Sequence, residues 1–225
     1  MTRYFIQLAF NGKDFHGWQI QDNAVSVQEE LNKGLSLLQR TELKVTGCGR
    51  TDTGVNASQF FAHFDAEILV DNLVYKLNGV LPDSIVIENI MALHPEAHSR
   101  FDATARTYEY FFHTKLNPFL IDFSYYISAD LNIDLMNEAA SKLLAITDFT
   151  SFSKLHSDAY TNNCDVSFAK VTDLNKGQYK FTITADRFLR NMVRAIVGTL
   201  IDVGRGRISQ EDFQKIIESK NRQNA

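Results

Sequence analysis

The 225-residue sequence holds only two cysteines, Cys48 and Cys164, and they form no C-x-x-C pair. Zinc knuckles and disulfide scaffolds need more or closer cysteines, so neither is indicated and two buried free thiols are expected. No apolar run approaches the roughly eighteen residues of a membrane span. The opening MTRYFIQLAFNGKDFHGW reads as a strand and loop rather than a signal peptide, which places the chain in the cytoplasm. Positive charge is not in excess: 23 Lys and Arg stand against 27 Asp and Glu, a formal charge of −4. Alone, that balance argues against a nucleic-acid partner. Its distribution leaves the possibility open, because Arg187, Arg190, Arg194, Arg205 and Arg207 fall close together, with Asp202 the one acid among them. Neither G-x-G-x-x-G nor G-x-x-x-x-G-K-[ST] occurs, so Gly47, Gly49 and Gly54 are no nucleotide cradle. His94 and His98 are four apart, but Pro95 between them argues against one helix presenting both to a metal, and no metal site is expected. No Ser/His/Asp or Cys/His order is readable, and no Pro/Gly/Ser-rich linker divides the chain.

What is present suffices for a packed globular core, with 44% hydrophobic and 12% aromatic residues. Arg3 to Phe10 reads as a strand. Ser26-Val27-Gln28-Glu29 is a capping box, and Val27, Leu31, Leu35 and Leu38 then share one helical face. Strands are expected at about 43 to 49 and 58 to 66, the second alternating Phe60, Ala62 and Phe64 against Phe61, His63 and Asp65. A short helix near 72 to 79 and a strand from Ile85 to Leu93 complete the first half. The second half opens with a strand from Ala103 to His113 that puts Arg106, Tyr108, Tyr110 and Phe112 on one face. A helix at about 134 to 145, strands near 164 to 174 and 178 to 185, and a helix from about 188 to 203 follow. On that last helix Leu189, Met192, Val193, Ile196 and Leu200 form an apolar stripe, with Arg187, Arg190 and Arg194 on an adjacent face. Ser209 caps a final helix.

The element order is therefore βαββαβ and then βαββαα, an α/β chain of the α+β type with two similar halves, residues 1–102 and 103–225. No residue-level repeat supports the duplication, which rests on element order alone, and the second copy lacks its final strand. Without a linker, the halves are expected to share one continuous, mostly antiparallel sheet.

Asp52 stands in the string Gly49-Arg50-Thr51-Asp52-Thr53-Gly54-Val55-Asn56-Ala57. As a bare tetrapeptide, G-R-T-D is an ordinary strand-to-strand turn in which Arg50 pairs with Asp52. The longer string resembles the G-R-T-D-A-G-V-H-A signature of the tRNA pseudouridine synthase A (TruA) family. Other family-like strings follow in order, among them Phe15-His16-Gly17-Trp18-Gln19, Arg100-Phe101-Asp102-Ala103, Arg106-Thr107-Tyr108-Glu109-Tyr110, Asp148-Phe149-Thr150-Ser151-Phe152 and Asn191 to Gly198.

That resemblance implies an isomerase that detaches uracil from C1′ of its ribose, turns it and rejoins it through C5, with no cofactor and no metal. It implies uridines 38, 39 and 40 of the tRNA anticodon stem-loop as targets, a homodimer, and helices on one side of the sheet opposite an RNA-binding cleft. Asp52 corresponds to the catalytic aspartate and Arg194 to the arginine that keeps it ionised and aimed. Tyr108 corresponds to the tyrosine packed on the target base, and Arg50 to the arginine that helps displace that base. A carboxylate suits this chemistry because it is a nucleophile that can also leave. The residues alone leave other readings open: Tyr108 and Tyr110 as core, Arg194 as a solvated arginine, Trp18 as core or as a stacking platform. A non-catalytic RNA-binding module is the rival at the level of function. Asn56 replaces the family's usual histidine, and altered local hydrogen bonding with activity retained is expected. The family also continues past Ala225 through a Gly-Leu-Tyr-Leu-type strand, so a truncated chain or one without an ordered tail is expected.

Overall fold

The computed structural model describes residues 1–154 and 160–225, and contacts gather them into two compact units, Met1–Ala103 and Thr104–Ala225. In the first unit the elements run β1 (Thr2–Phe10), α1 (Val27–Gln39), β2 (Thr46–Gly47), β3 (Ala57–Ala66), α2 (Leu73–Val80) and β4 (Ile85–Leu93). They form an antiparallel sheet in the order β2-β3-β1-β4. The register sets Ile6 opposite Ala62 and Leu8 opposite Phe60, so alternate residues of both strands enter one core. Over that face lies α1, whose Val27, Leu31 and Leu35 are fully buried as their spacing predicts. Ser26 caps this helix by accepting from the Glu29 N–H at 3.3 Å.

The strand expected at 43 to 49 shrinks to two residues. Side chains of α1 take the backbone groups that a ladder would use. Leu43 N–H donates to Ser36 Oγ and Val45 N–H to Asn32 Oδ1, each at 2.9 Å, while Gln28 donates to the Val45 carbonyl at 2.8 Å.

The second unit contains β5 (Arg106–His113), β6 (Tyr125–Tyr126), α3 (Ile133–Lys142), β7 (Val166–Asp173), β8 (Gln178–Ala185), α4 (Met192–Gly204) and α5 (Gln210–Ser219). Its sheet runs β6-β5-β8-β7. Phe112, Phe181 and Ile183 meet Met136, Ile196, Leu200 and Phe213 in its core. The repeat read from element order is visible in the strand pairing: β7-β8-β5 in this sheet follows the order of β2-β3-β1 in the other. Beside β1 lies β4; beside β5, pairing reaches only Phe112 and His113, through the two parallel residues of β6.

Strand pairing among the described residues thus gives two four-stranded sheets in place of the single continuous sheet expected. Each sheet buries its apolar face under the helices of its own unit, forming two separate core clusters. Residues 94–105 separate β4 from β5 in sequence, and this stretch turns at His94–Ala97 and again at His98–Asp102.

The helix expected from 188 starts at Met192, because Asn191 adopts a left-handed conformation with φ 62° and ends the preceding turn. Arg187 and Arg190 therefore precede the helix, and only Arg194 stands on it. Among the described residues, no helix is long and apolar enough to cross a membrane. Cys164 is buried, and desolvation pushes its thiol up to about 11; Cys48 is half-buried, and neither is in a disulfide.

Candidate active site

Asp52 sits in the connection between β2 and β3, exposed, with Arg50 exposed two residues before it. No ion pair joins the two among the described residues, so the loop is not a simple Arg–Asp turn. A tight turn presents the carboxylate: Val55 N–H donates to the Asp52 carbonyl at 3.2 Å, and Gly54 takes φ +77°.

This turn rests on the segment after β1. Gly54 N–H donates to the Phe15 carbonyl at 3.2 Å, and Trp18 N–H donates to the Thr51 carbonyl at 3.4 Å. The two backbones approach so closely that only glycine fits at two points. A Cβ on Gly17, which has φ +87°, would lie 2.2 Å from the Thr51 carbonyl oxygen, and one on Gly12 would lie 2.1 Å from that of Val55. Gly49 and Gly54, by contrast, face open space. Close approach is thus to protein at Gly12 and Gly17, and the signature's own glycines leave room outside the loop.

Trp18 settles as core. It is 2% exposed, its ring lies 4.3 Å from Phe60, and it packs under Gly47. Asn56 also gains a definite role, since its Oδ1 accepts from the Gly12 N–H at 2.7 Å and ties the end of the aspartate loop to the segment beneath. Sequence reasoning located Asn56 as a departure but did not see this bond, which joins positions 44 residues apart.

In the second unit, Tyr108 lies on β5, half-buried, with its ring edge-on to Phe188 at 5.0 Å. Arg194 stands exposed in the first turn of α4. Tyr110, two residues along β5 from Tyr108, lies within electrostatic reach of Arg194: burial raises the phenol's pKa and the guanidinium opposes that rise. Sequence periodicity put Tyr110 on this face without identifying its charged neighbour. Arg50 and Asp52 are thus together in one loop of the first unit, and Tyr108 and Arg194 belong to the second.

The support under Asp52 predicts an ordering of glycine variants. Gly17→Ala combines positive φ with a backbone clash and should destabilise the chain by at least about 2 kcal/mol. Gly54→Ala meets only the conformational strain, about 1 kcal/mol, and Gly49→Ala should be close to neutral. Thermal unfolding of the three proteins checks this, and equal melting temperatures for Gly17→Ala and Gly49→Ala would refute the packing described.

Residues 139–225 match a family model described as tRNA pseudouridine synthase. The chain is 52% identical to the tRNA pseudouridine synthase A of Bacteroides fragilis over 225 residues, covering 99% of this chain and 89% of that protein. Against the protein of that name from Parabacteroides distasonis it is 50% identical, with the same coverage. The corresponding protein of Clostridium acetobutylicum is 37% identical, over 100% of this chain and 93% of its own length.

Proposed function

The chain belongs to the tRNA pseudouridine synthase A family and is an isomerase acting on tRNA, and we propose that it converts uridine to pseudouridine at positions 38, 39 and 40 of the anticodon stem-loop. The observation that carries the chemistry is Asp52 itself, an exposed carboxylate at the tip of a turn braced from beneath by protein backbone. The backbone that carries the carboxylate is fixed before a substrate arrives, so placing it costs little further ordering.

In the proposed reaction the bond between C1′ and N1 breaks and a bond between C1′ and C5 forms. The proton on C5 must leave and N1 must gain one, so the product is an isomer and no redox partner is required. Asp52 attacks the uridine or steadies positive charge at C1′, and it can carry the proton. Arg194 pairs with this carboxylate in the tRNA-bound enzyme and keeps it ionised. Tyr108 packs on the target base, and Arg50 helps displace it from the stem, a step that costs a few kcal/mol and is offset by contacts in the pocket. The room left outside Gly49 and Gly54 supports close approach of an RNA backbone.

The reaction takes place in the cytoplasm, in a homodimer. An acidic chain needs a composite basic surface to hold RNA, and two copies of the stretch from Arg187 to Arg207 supply one. Self-association is further supported by the apolar hollow lined by Leu116, Pro118, Ile121, Tyr125 and Tyr126, of which Leu116 is 81% exposed. Sedimentation should show a dimer at micromolar concentration; a monomer that still modifies tRNA would refute this.

Mapping tests the choice of uridine. Unmodified tRNA transcripts with uridine at 38, 39 or 40 should gain pseudouridine there, and replacing each uridine by cytidine should remove the corresponding signal. Pseudouridine elsewhere, with none in the anticodon stem-loop, would overturn the proposed target while leaving the isomerase activity intact.

A further inference from the structure

Phe101 is a large aromatic residue left 74% exposed, yet its position is closely determined. Its ring stacks on His98, with centroids 4.1 Å apart and planes 29° from parallel. His98 is itself fixed. Its Nδ1 accepts the backbone N–H groups of Arg100 at 3.2 Å and Phe101 at 3.3 Å, and its own backbone N–H donates to Asp102 Oδ2 at 2.7 Å. Behind His98 lies His63, edge to face at 4.6 Å and buried in β3. Ser99 ties that ring into the sheet, giving its backbone N–H to His63 Nδ1 at 3.2 Å and its hydroxyl to the Thr46 carbonyl at 2.9 Å. Arg3 donates to the Ala97 carbonyl at 2.5 Å and pairs with Asp65, which holds the start of the same loop. The Arg100 guanidinium lies 5.9 Å from the Phe101 ring centre.

A run of rings from His63 through His98 to Phe101 thus leads from the core to solvent, and a cation stands beside its outer end. The fold presents this ring to solvent in one orientation, so a ligand that stacks on it loses little of the binding energy to ordering it. A flat π-system attached to a negative phosphate matches both parts. Bases of a stem-loop that are unpaired, or drawn from the helix, offer such faces, and aromatic stacking accepts any of the four.

We propose that Phe101 is a stacking platform for an unpaired base of the bound tRNA, with Arg100 neutralising a phosphate next to that base. The proposal rests on the reading of tRNA as substrate and adds a contact separate from the group of Arg50, Asp52, Tyr108 and Arg194.

Affinity of the full chain for tRNA transcripts, measured at several salt concentrations, tests it. Phe101→Leu keeps an apolar side chain but removes the ring; it should weaken binding by about five- to a hundredfold with the salt slope unchanged. Phe101→Tyr keeps the π-face and should bind within about twofold of the unsubstituted chain. Arg100→Gln should reduce the steepness of the log–log salt dependence by about one phosphate's worth, 0.7 to 0.9. If Phe101→Leu binds like the unsubstituted chain while that chain binds tRNA, the platform is refuted and the substrate reading stands. If the unsubstituted chain does not bind tRNA, the substrate reading falls and the platform falls with it.

Discussion

Asp52→Asn is expected to abolish pseudouridine formation while leaving tRNA affinity within about tenfold, which corresponds to about 1.4 kcal/mol. The amide is nearly isosteric, and what shapes the turn is backbone: Val55 N–H on the Asp52 carbonyl and Gly54 N–H on the Phe15 carbonyl. Neither bond involves the carboxylate, so the loop should keep its form. Reactivity should not survive, because an amide is a far poorer nucleophile and carries no charge to steady C1′ or to accept a proton. Affinity follows different physics. It is expected to come mainly from arginine and lysine contacts with phosphates over a broad surface, whereas in the proposed complex Asp52 would set a carboxylate against a polyanion. Losing its charge should leave electrostatic attraction undiminished or strengthen it, and binding of both proteins should fall with salt at similar slopes.

Arg194→Ala is expected to lower activity by on the order of a hundredfold or more, the scale on which a misplaced reacting group costs rate. The fold should survive this change. Arg194 is exposed, while Met192, Ile196 and Leu200 of the same helix are fully buried and anchor α4 without it. Arg194→Lys should recover little, since a point ammonium cannot reproduce the planar fork that aligns a carboxylate. Circular dichroism alongside single-turnover assays separates folding from chemistry, and full turnover by Arg194→Lys would remove Arg194 from its proposed role.

Where local chemistry decides an element, the sequence was a sufficient guide. Ser26 and the spacing of Val27, Leu31 and Leu35 located α1, the alternation of Phe60, Ala62 and Phe64 located β3, and Ile85 to Leu93 proved to be β4 from end to end. Legibility ended where distant groups compete for the same backbone. Ser36 and Asn32 reach from α1 to take donors that β2 would have used, and no window around residue 45 contains them. Asn191 is an acceptable helix residue by composition, but its φ of 62° makes α4 start four residues later than the spacing predicts and leaves Arg187 and Arg190 before the helix. The two parallel residues of β6 are too few to show a period.

The aspartate was legible only through its longer string, since G-R-T-D by itself is a plausible plain turn. The support beneath it was not legible. Gly17 meets Thr51, and Gly12 meets Val55, across dozens of intervening residues, and close approach of two loops leaves no periodic trace in either. Phe101 passed unnoticed for a similar reason. Its exposure and its backing by His98 are tertiary facts, and the family-like string Arg100-Phe101-Asp102-Ala103 identified the segment without assigning it a task.

Isomerisation of uridine in tRNA through Asp52 is tested most directly by incubating unmodified tRNA with the unsubstituted chain and with Asp52→Asn, and reading pseudouridine in both samples while measuring the affinity of both proteins. Pseudouridine with the first protein only, at comparable affinities, is the predicted result. Pseudouridine from Asp52→Asn would show that this carboxylate is not catalytic, and tight tRNA binding without pseudouridine from the unsubstituted chain would show a binding module in place of an enzyme.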